Sequence, residues 1–334
     1  MNNRVTIIFL IMNIIDLYVK SYAVLSKRGS FPQWLLSPLR FAERSLANII
    51  LPKYLSKSID NSSKTIVKDL IISFTSFPAR IKEIWQVVEC LKRQTILPEK
   101  IILYLSEEQF PRIIAIPESL RSRQDNLFEI RIVSGDIRSH KKYYYAMQEF
   151  PDKTIVTCDD DVYYGSWFLQ ELVRYSKKAP GCIVANDAVR IKHNEQGELL
   201  PYLQFGQNVL ADDSDNLVQI GVGGVLYPPH SLNTLVLDRE GFTKAAPMAD
   251  DLWLCAMARL DGTPVIKTCS YKQTLPPIIT NSSSLTDLNN GEENLNDRQF
   301  KTIREYLFSK GKPDVFSSSY NVSFGGVSFD KNLI

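Results

Sequence analysis

Residues 154–161 read TIVTCDDD, a short run of β-branched and apolar residues followed at once by three carboxylates. The run 154–158 is typical of a buried strand because it is short and bounded by polar residues. Adjacent carboxylates at the end of such a strand repel one another and lose hydration, so they require a cation or several donors. Mg²⁺ or Mn²⁺ suits such oxygen ligands and commonly also binds substrate phosphates. The pattern therefore predicts a metal that holds a diphosphate; a solvated acidic turn or a helix N-cap is the alternative.

Strand and helix patterns alternate along the chain around this segment. Strand patterns cover 66–74, 100–105 and 128–133, and helical patterns cover 81–94 and 141–149. This alternation predicts an α/β fold with a mostly parallel sheet flanked by helices, because helical crossovers join parallel strands. Ligands of such sheets bind beyond the carboxyl ends of the strands. The acidic cluster falls at one of these ends.

The polar segment 56–64 divides the chain into a leader and a main domain. We expect a basic, helical N-terminal extension over 1–64, a catalytic domain over 65–275, and a loop and helix over 276–334 that complete the domain. The later patterns are, in order, a helix at 167–178, a strand at 181–185, an apolar run with glycines at 218–227, a helix at 251–260, a strand at 264–269, a loop at 280–296 and a helix at 297–309.

The excess of positive over negative charge lies in the first 68 residues of the chain. Residues 1–68 contain ten Lys or Arg and three Asp or Glu, a net of +7, so the remainder carries −5 of the overall +2. A mildly acidic body argues against nucleic-acid binding, whereas the leader predicts contact between residues 1–60 and an anionic membrane surface. Five cysteines without a CxxC pair favour a reducing compartment. We therefore expect a cytoplasmic protein, peripheral on the inner face of the cell membrane.

The apolar stretch 5–19 is about fifteen residues long, short of the roughly twenty that span a bilayer. Wound as a helix, it places Asn13, Asp16 and Lys20 on one face, which is the layout of a helix lying in the membrane interface. Residues 34–51 repeat the mixture of basic and apolar side chains. The alternative is that both helices pack on the protein's own body, and the sequence leaves both interpretations open.

Polar and basic side chains occur near the predicted carboxyl edge of the sheet. The turn after the first strand contains Thr75, Ser76, Pro78 and Arg80, whose hydroxyl and guanidinium groups suit a nucleotide and its phosphates. The alternative is a turn in which Ser76 caps the next helix. Lys141, in the first turn of the helix before the metal strand, is placed to neutralise a diphosphate, with a solvated basic turn as the alternative.

Two later motifs also bear on a ligand site. The glycine run at 221–224 lacks both the P-loop and the GxGxxG spacing, so we expect Gly223 and Gly224 to permit close backbone approach to a ligand or to form a bulge. Asp250 and Asp251 precede an apolar helix, and one of them is a natural N-cap. The other is suited to act as a general base if it faces the acidic cluster.

Five segments carry a family resemblance: ISFTSFPARI at 72–81, KIILYLSEEQFP at 100–111, SHKKYYYAMQEFPDKTIVTCDDDVYY at 139–164, GVGGVLYPP at 221–229 and APMADDLWLCAMA at 246–258. Together they resemble bacterial glycosyltransferases of the GT-A type that build cell-surface polysaccharides and, more distantly, the exostosin-like transferases. The resemblance covers about residues 66–275, and several motifs in order are more specific than any one alone. It implies the GT-A fold, a Rossmann-like, mostly parallel sheet.

The resemblance also implies roles for individual residues. The carboxylate triplet corresponds to the DxD motif, so that Asp161 binds Mn²⁺ or Mg²⁺ directly, while Asp159 and Asp160 hold the metal's water shell and the ribose of the nucleotide. Asp159 is therefore assigned to the metal site as well, through the waters bound to the metal. The turn at 75–80 corresponds to the nucleotide-contacting loop. Asp251 corresponds to the base or the carboxylate that orients the acceptor.

The activity implied is transfer of a sugar from a nucleoside diphosphate sugar, a UDP-sugar first of all, to a hydroxyl of a growing polysaccharide or lipid-linked glycan. Many such enzymes have a further metal ligand, often His, near the carboxyl end, but no His follows His230, so that ligand is another residue or water. The sequence does not distinguish retention from inversion. Two rivals remain: a nucleotidyltransferase acting on sugar phosphates, although 74–80 lacks the usual glycine, and a non-enzymatic Ca²⁺-binding peripheral membrane protein.

Overall fold

The structure of the protein is a computed structural model that describes residues 13–26, 33–206, 209, 216–268, 275–278, 294–320 and 322. Residues 5–12 of the apolar stretch and 280–293 of the expected loop lie outside this description.

Helices and strands alternate through the described part of the main domain. The helices are α1 (Ile14–Ser26), α2 (Gln33–Leu55), α3 (Trp85–Lys92), α4 (Glu118–Arg121), α5 (Lys141–Glu149), α6 (Phe168–Lys178), α7 (Arg239–Ala245), α8 (Asp250–Leu260) and α9 (Leu295–Ser309). The strands are β1 (Ile66–Thr75), β2 (Leu97–Ser106), β3 (Phe128–Val133), β4 (Thr154–Thr157), β5 (Ile183–Ala185), β6 (Ala188–Arg190), β7 (Leu217–Gln219), β8 (Val225–Tyr227) and β9 (Val265–Lys267).

The main sheet has the strand order β3-β2-β1-β4-β8-β5-β9. Strand β8 runs antiparallel to β4 and β5, and the other neighbouring pairs are parallel. Side chains on both faces of the central strand β1, including Ile71, Ile72 and Phe74, are fully buried. A strand covered on both faces needs apolar residues in succession, which explains the apolar run at 70–72 in the buried half of β1. The sheet confirms the prediction of an α/β fold with a mostly parallel sheet flanked by helices.

The parallel pairing brings separate segments of the chain to one edge of the sheet. Strand β1 pairs in parallel with β2 and β4, with Ser73 opposite Thr157, and β2 pairs in parallel with β3. The carboxyl ends of these strands therefore lie together. As a result, the turn at 75–80, the loop at 134–140 and the acidic cluster at 159–161 all emerge at this edge.

The apolar run 218–227 forms two strands in different sheets. Strand β7 pairs with β6 in a separate two-stranded sheet, whereas β8 joins the main sheet. Between them, Gly224 has a φ of 85°, in the left-handed region that favours glycine, and the chain turns there. Because β8 is antiparallel to β4, this turn lies at the same edge as the acidic cluster.

The leader packs on the main domain through one side of each helix. In α1, Ile15 and Val19 are buried, and Asp16 is only 4% exposed. The Asp16 carboxylate accepts hydrogen bonds from the backbone N–H (2.6 Å) and the hydroxyl (2.7 Å) of Ser166. Asp16 therefore faces the body, as in the alternative that this helix packs on the protein's own body, because a buried acid must face its donors. Within the described ranges, no helix is both long and apolar enough to cross a bilayer.

We predict that Asp16→Ala lowers the free energy of unfolding by about 1–3 kcal/mol, since it leaves two buried donors of Ser166 without an acceptor. Urea denaturation followed by circular dichroism measures the change. Asp152→Ala, at a position whose side chain is 85% exposed, serves as the control. Equal stability of the two variants would show that the contact does not hold the leader in place.

Candidate functional site

A cleft of about 620 Å³ lies at the carboxyl edge of the main sheet. Side chains from five segments supply most of its lining: 75–80, 136–142, 158–161, 220–222 and 248–252. This volume falls within the range of small-molecule sites. Sequence motifs more than 150 residues apart thus meet at one place, because β1 and β4 are parallel neighbours and α8 begins at the same edge.

Arg80 neutralises part of the acidic cluster. Its guanidinium lies 2.7 Å from Asp160 and 2.8 Å from Asp161, and the Arg80 side chain is 8% exposed. Burial raises the pKa of Asp160, and the charge of Arg80 opposes that rise. Burial, followed by the charge of Asp159, raises the pKa of Asp161 to about 7. The cluster therefore holds more negative charge than Arg80 compensates.

Lys142 joins the acidic cluster to the start of α8. Its Nζ lies 2.9 Å from Asp159 and 2.8 Å from Asp250, and its side chain is 6% exposed. Burial acts to lower the pKa of Lys142, but these carboxylates outweigh burial and raise it well above its usual value. Burial likewise acts to raise the pKa of Asp250, and Lys142 outweighs it, so that this pKa is lowered. Lys142 and Asp250 therefore form a buried, charged pair.

Asp251 differs from Asp250 in its surroundings. Its Oδ2 accepts a hydrogen bond of 2.9 Å from the backbone N–H of Gly221. Burial, followed by the charge of Asp250, raises the pKa of Asp251 to about 7. A Cβ atom at position 221 would lie 2.8 Å from Asp251 Oδ1 and 3.0 Å from Lys142 Nζ. A side chain at 221 would therefore push the Asp251 carboxylate and the Lys142 ammonium out of these positions.

His140 holds the start of α5 beside the segment that precedes α8. Its Nε2 lies 2.7 Å from the carbonyl oxygen of Ala246, and its Nδ1 lies 2.8 Å from the Tyr143 hydroxyl. A carbonyl only accepts, so Nε2 carries the proton and Nδ1 accepts from Tyr143. Burial lowers the pKa of His140 to about 4, which keeps the ring neutral. This contact places Lys142 opposite Asp250.

Lys141 lies in the cleft lining, but its partner is not one of the acids at 159–161. It is 2% exposed and forms an ion pair with Asp136. Sequence reasoning selected Lys141 and missed its neighbour Lys142, which is the lysine in contact with the acidic cluster. Both residues occupy the first turn of α5, and spacing alone does not say which one points toward β4. The adjacent lysine pair was the only signal.

The other predicted nucleotide-binding residues are placed differently from one another. Thr75 and Ser76 line the cleft, and the Thr75 hydroxyl donates to the carbonyl of Tyr104 at 2.8 Å. Pro78 is exposed and does not line the cleft. The two glycines, Gly223 and Gly224, are also outside the lining.

Packing accounts for both of these glycines. A Cβ at Gly223 would lie 2.9 Å from the backbone nitrogen of Asp187, and one at Gly224 would strike the ring of Phe168. The close backbone approach expected at these glycines is therefore to the protein's own strands and helices. Their contact with a nucleotide sugar stays a prediction.

The chemistry of the cleft suits a divalent metal that is shared with a substrate. Six carboxylates line the cleft (Asp136, Asp159, Asp160, Asp161, Asp250, Asp251) against four bases (Arg80, Arg138, Lys141, Lys142). No three or more His, Cys, Asp or Glu side chains form a ready-made metal cage in the described part of the chain. Mg²⁺ commonly takes only one or two carboxylates and completes its shell with waters and phosphates. The donor set fits that kind of site.

Two carboxylates of the cluster are the best placed to hold such a metal. The Asp159 and Asp161 side chains are 32% and 25% exposed, whereas that of Asp160 is 7% exposed. Their ion pairs use Oδ1 of Asp159 and Oδ2 of Asp161, which leaves the second oxygen of each outside the ion pair. Asp160 Oδ2 is buried and has no hydrogen-bond partner among the described residues.

Comparison of the whole chain with solved structures finds several that are similar to it at low sequence identity. A mannosyltransferase from Pyrobaculum calidifontis, in complex with GDP-Man and Mn²⁺, is 11% identical over 89% of this chain and 78% of its own, with a TM-score of 0.42. Glucosyl-3-phosphoglycerate synthase from Mycobacterium tuberculosis, in complex with Mn²⁺, UDP-Glc and phosphoglyceric acid, is 12% identical over 76% of this chain and 82% of its own, with a TM-score of 0.36.

An enzyme that is not a glycosyltransferase is similar to this chain to the same degree. 4-Diphosphocytidyl-2C-methyl-D-erythritol synthase is 10% identical over 69% of this chain and 96% of its own, with a TM-score of 0.38. No protein-family model and no curated protein sequence matches the chain.

We predict that Lys142→Met lowers the free energy of unfolding by about 3–5 kcal/mol, because it leaves the buried Asp250 and the partly exposed Asp159 without their counter-charge. Chemical denaturation measures the loss. The triple variant Asp159→Asn/Lys142→Met/Asp250→Asn removes all three charges and is expected to lose less stability than the single variant. Lys244→Met, at an exposed ion pair with Glu240, is expected to leave the midpoint unchanged. A triple variant as unstable as the single one would show that charge is not the cause.

Proposed function

We propose that the protein is a metal-dependent glycosyltransferase of the GT-A type that moves a sugar from a nucleoside diphosphate sugar to a hydroxyl. The supporting observation is the convergence of the motifs at 72–81, 139–164 and 246–258 on one cleft at the carboxyl edge of the sheet. A neutral ligand would have no need of such an excess of carboxylates. A diphosphate held through a divalent cation needs them.

In this proposal, Asp161 and Asp159 hold Mn²⁺ or Mg²⁺, and Asp160 contributes to the ribose side of the site. When bound, the metal supplies charge stabilisation for the departing diphosphate. Arg80 and Lys142 are the buried bases beside the same carboxylates, and both are placed to meet phosphate oxygens. Thr75 and Ser76 line the cleft next to Arg80 and are assigned to the nucleotide, which we propose to be UDP.

Asp251 is the proposed base. Asp250 is committed to its ion pair with Lys142, whereas Asp251 is held by the N–H of Gly221 and lines the cleft. In an inverting reaction, Asp251 takes the proton of the acceptor hydroxyl, the acceptor oxygen bonds to the anomeric carbon, and the bond from that carbon to the diphosphate breaks. In a retaining reaction, the same carboxylate steadies the developing oxocarbenium ion.

We propose that the acceptor is a growing surface polysaccharide or a lipid-linked glycan, used at the inner face of the cell membrane. The support is the sequence resemblance at 72–258 together with the basic leader, which carries a net +7 over residues 1–68. The transferred sugar is proposed to be a hexose or an N-acetylhexosamine.

We predict that Asp161→Asn lowers Mn²⁺-dependent release of UDP from a UDP-sugar by at least about a hundredfold, because the variant loses a charged metal ligand. The assay screens a panel of UDP- and GDP-sugars for nucleotide release with Mn²⁺ and with EDTA. Asp60→Asn, at an exposed site in the polar linker, is the control. Retained turnover in a folded Asp161→Asn variant would refute the metal assignment. Pyrophosphate release from UTP and a sugar 1-phosphate would instead identify a nucleotidyltransferase.

We predict that Asp251→Asn lowers kcat by about 100- to 10,000-fold with little change in stability, as expected when a general base is lost. The adjacent variant Asp250→Asn should mainly destabilise the fold, because it breaks the buried pair with Lys142. Steady-state kinetics and thermal melting of both variants separate the two roles. If Asp250→Asn loses kcat at full stability while Asp251→Asn stays active, the two roles must be exchanged.

A further inference from the structure

The outward side of α2 is apolar along almost its whole length. The exposed large apolar side chains are Trp34 (73%), Leu39 (56%), Phe41 (73%), Leu46 (58%), Ile49 (61%) and Ile50 (36%). Positions 39, 42, 46, 49 and 53 recur at the three- and four-residue spacing of one helix face, and only Lys53 among them is polar. A soluble protein normally places polar residues there.

The opposite side of α2 already has its partners. Ala47, Leu51 and Leu55 are buried in the core of the main domain. The single acid of the helix, Glu43, is hydrogen-bonded to the Ser21 hydroxyl of α1. The outward residues are therefore not needed for packing on the body, and no described residue covers them.

Helix α1 also exposes apolar and basic side chains. Its Leu17 and Val24 are 54% and 71% exposed, and Lys20 lies between them in sequence and is exposed as well. The acid of α1, Asp16, is turned inward to Ser166. Both acids of the two helices are thus engaged internally.

The basic residues of α2 and the linker lack acidic partners. Within the described ranges, Arg40, Arg44, Lys53 and Lys57 form no ion pair. A helix is only about 10 Å across, so even the half-buried arginines lie within roughly one Debye length of the outward face. The apolar face therefore lies in a net positive field, since α2 and the linker hold five bases against Glu43 and Asp60.

We propose that the outward face of α2, defined by Trp34, Leu39, Phe41, Leu46 and Ile49, docks in the interface of an anionic lipid bilayer, with the helix lying parallel to the membrane plane. Apolar side chains enter the boundary between headgroups and acyl chains, and Lys53 on the same face meets lipid phosphates. Arg40 and Arg44 lie on the body side of the helix and attract the anionic surface through their charge over a longer distance. Trp34 at one end suits this boundary, which favours tryptophan. A second copy of the chain is a poorer occupant because it brings like charges together.

Flotation of the full-length chain with vesicles of equal parts phosphatidylcholine and phosphatidylglycerol tests this surface. The wild-type chain is expected to float with these vesicles and to bind pure phosphatidylcholine weakly. The variant Trp34→Ser/Phe41→Ser/Ile49→Ser should lose at least about a hundredfold in partitioning, since each large side chain contributes about tenfold. Its melting temperature should stay unchanged because these residues are exposed.

A matched control removes the same kind of side chain elsewhere. Ile114→Ser/Leu203→Ser/Phe308→Ser changes residues that are 71%, 61% and 84% exposed, and it should bind vesicles like the wild type. A charge variant, Arg40→Gln/Arg44→Gln/Lys53→Gln, should lose about fivefold per base and its preference for phosphatidylglycerol. Asp161→Asn should still bind, so that failure of the catalytic proposal does not affect this test.

Three results would overturn the proposal. Equal loss of binding in the control variant would indicate a nonspecific effect of apolar surface. A dimer in solution that the α2 variant dissociates, without vesicle binding, would make a second copy the occupant. Vesicle binding that appears only after residues 1–12 are removed would show that this segment of the chain itself occupies the face.

Discussion

Burial of carboxylates at the carboxyl edge of the main sheet is the constraint on which the site depends. The acids at 159–161 and 250–251 come from two distant segments and converge in one partly buried cleft. Two buried bases make this possible: Arg80 binds the acids of β4 from the β1 turn, and Lys142 bridges them to α8. Without these bases, like charges at this distance would push the segments apart.

The same arrangement explains why the cleft suits an anionic donor despite its acidity. Burial, reinforced by neighbouring carboxylates, raises the pKa values of Asp161 and Asp251, and the two bases do not fully offset that rise. In the proposed function, a divalent cation would add positive charge here and would also meet the diphosphate. One ion would then serve both the acids of the fold and the proposed chemistry.

In the leader, as in the candidate cleft, buried or half-buried carboxylates face hydrogen-bond donors or bases. Asp16 of α1 accepts hydrogen bonds from Ser166 of the body, and Glu43 of α2 accepts one from Ser21 of α1, so polar contacts add to apolar packing both within the leader and against the body. The outward sides of the two helices are consequently left with apolar and basic residues. One side of α2 packs on the body, as one interpretation of the sequence predicts, and contact of the other side with a membrane stays a prediction.

The sequence alone determined the elements of the fold, because periodicity and chain order are local properties. The strands at 66–75, 128–133 and 154–157 and the helices at 141–149 and 250–260 lie within a few residues of their predicted bounds. Tertiary structure alone decided the contacts among side chains.

Local pattern did not reveal that Lys142 rather than its neighbour faces the acids, that Gly221 rather than the later glycines lies beside Asp251 and Lys142, or that 218–227 divides between two sheets. Those outcomes depend on which side of a helix or turn meets a distant strand. That orientation is set by packing across the whole domain.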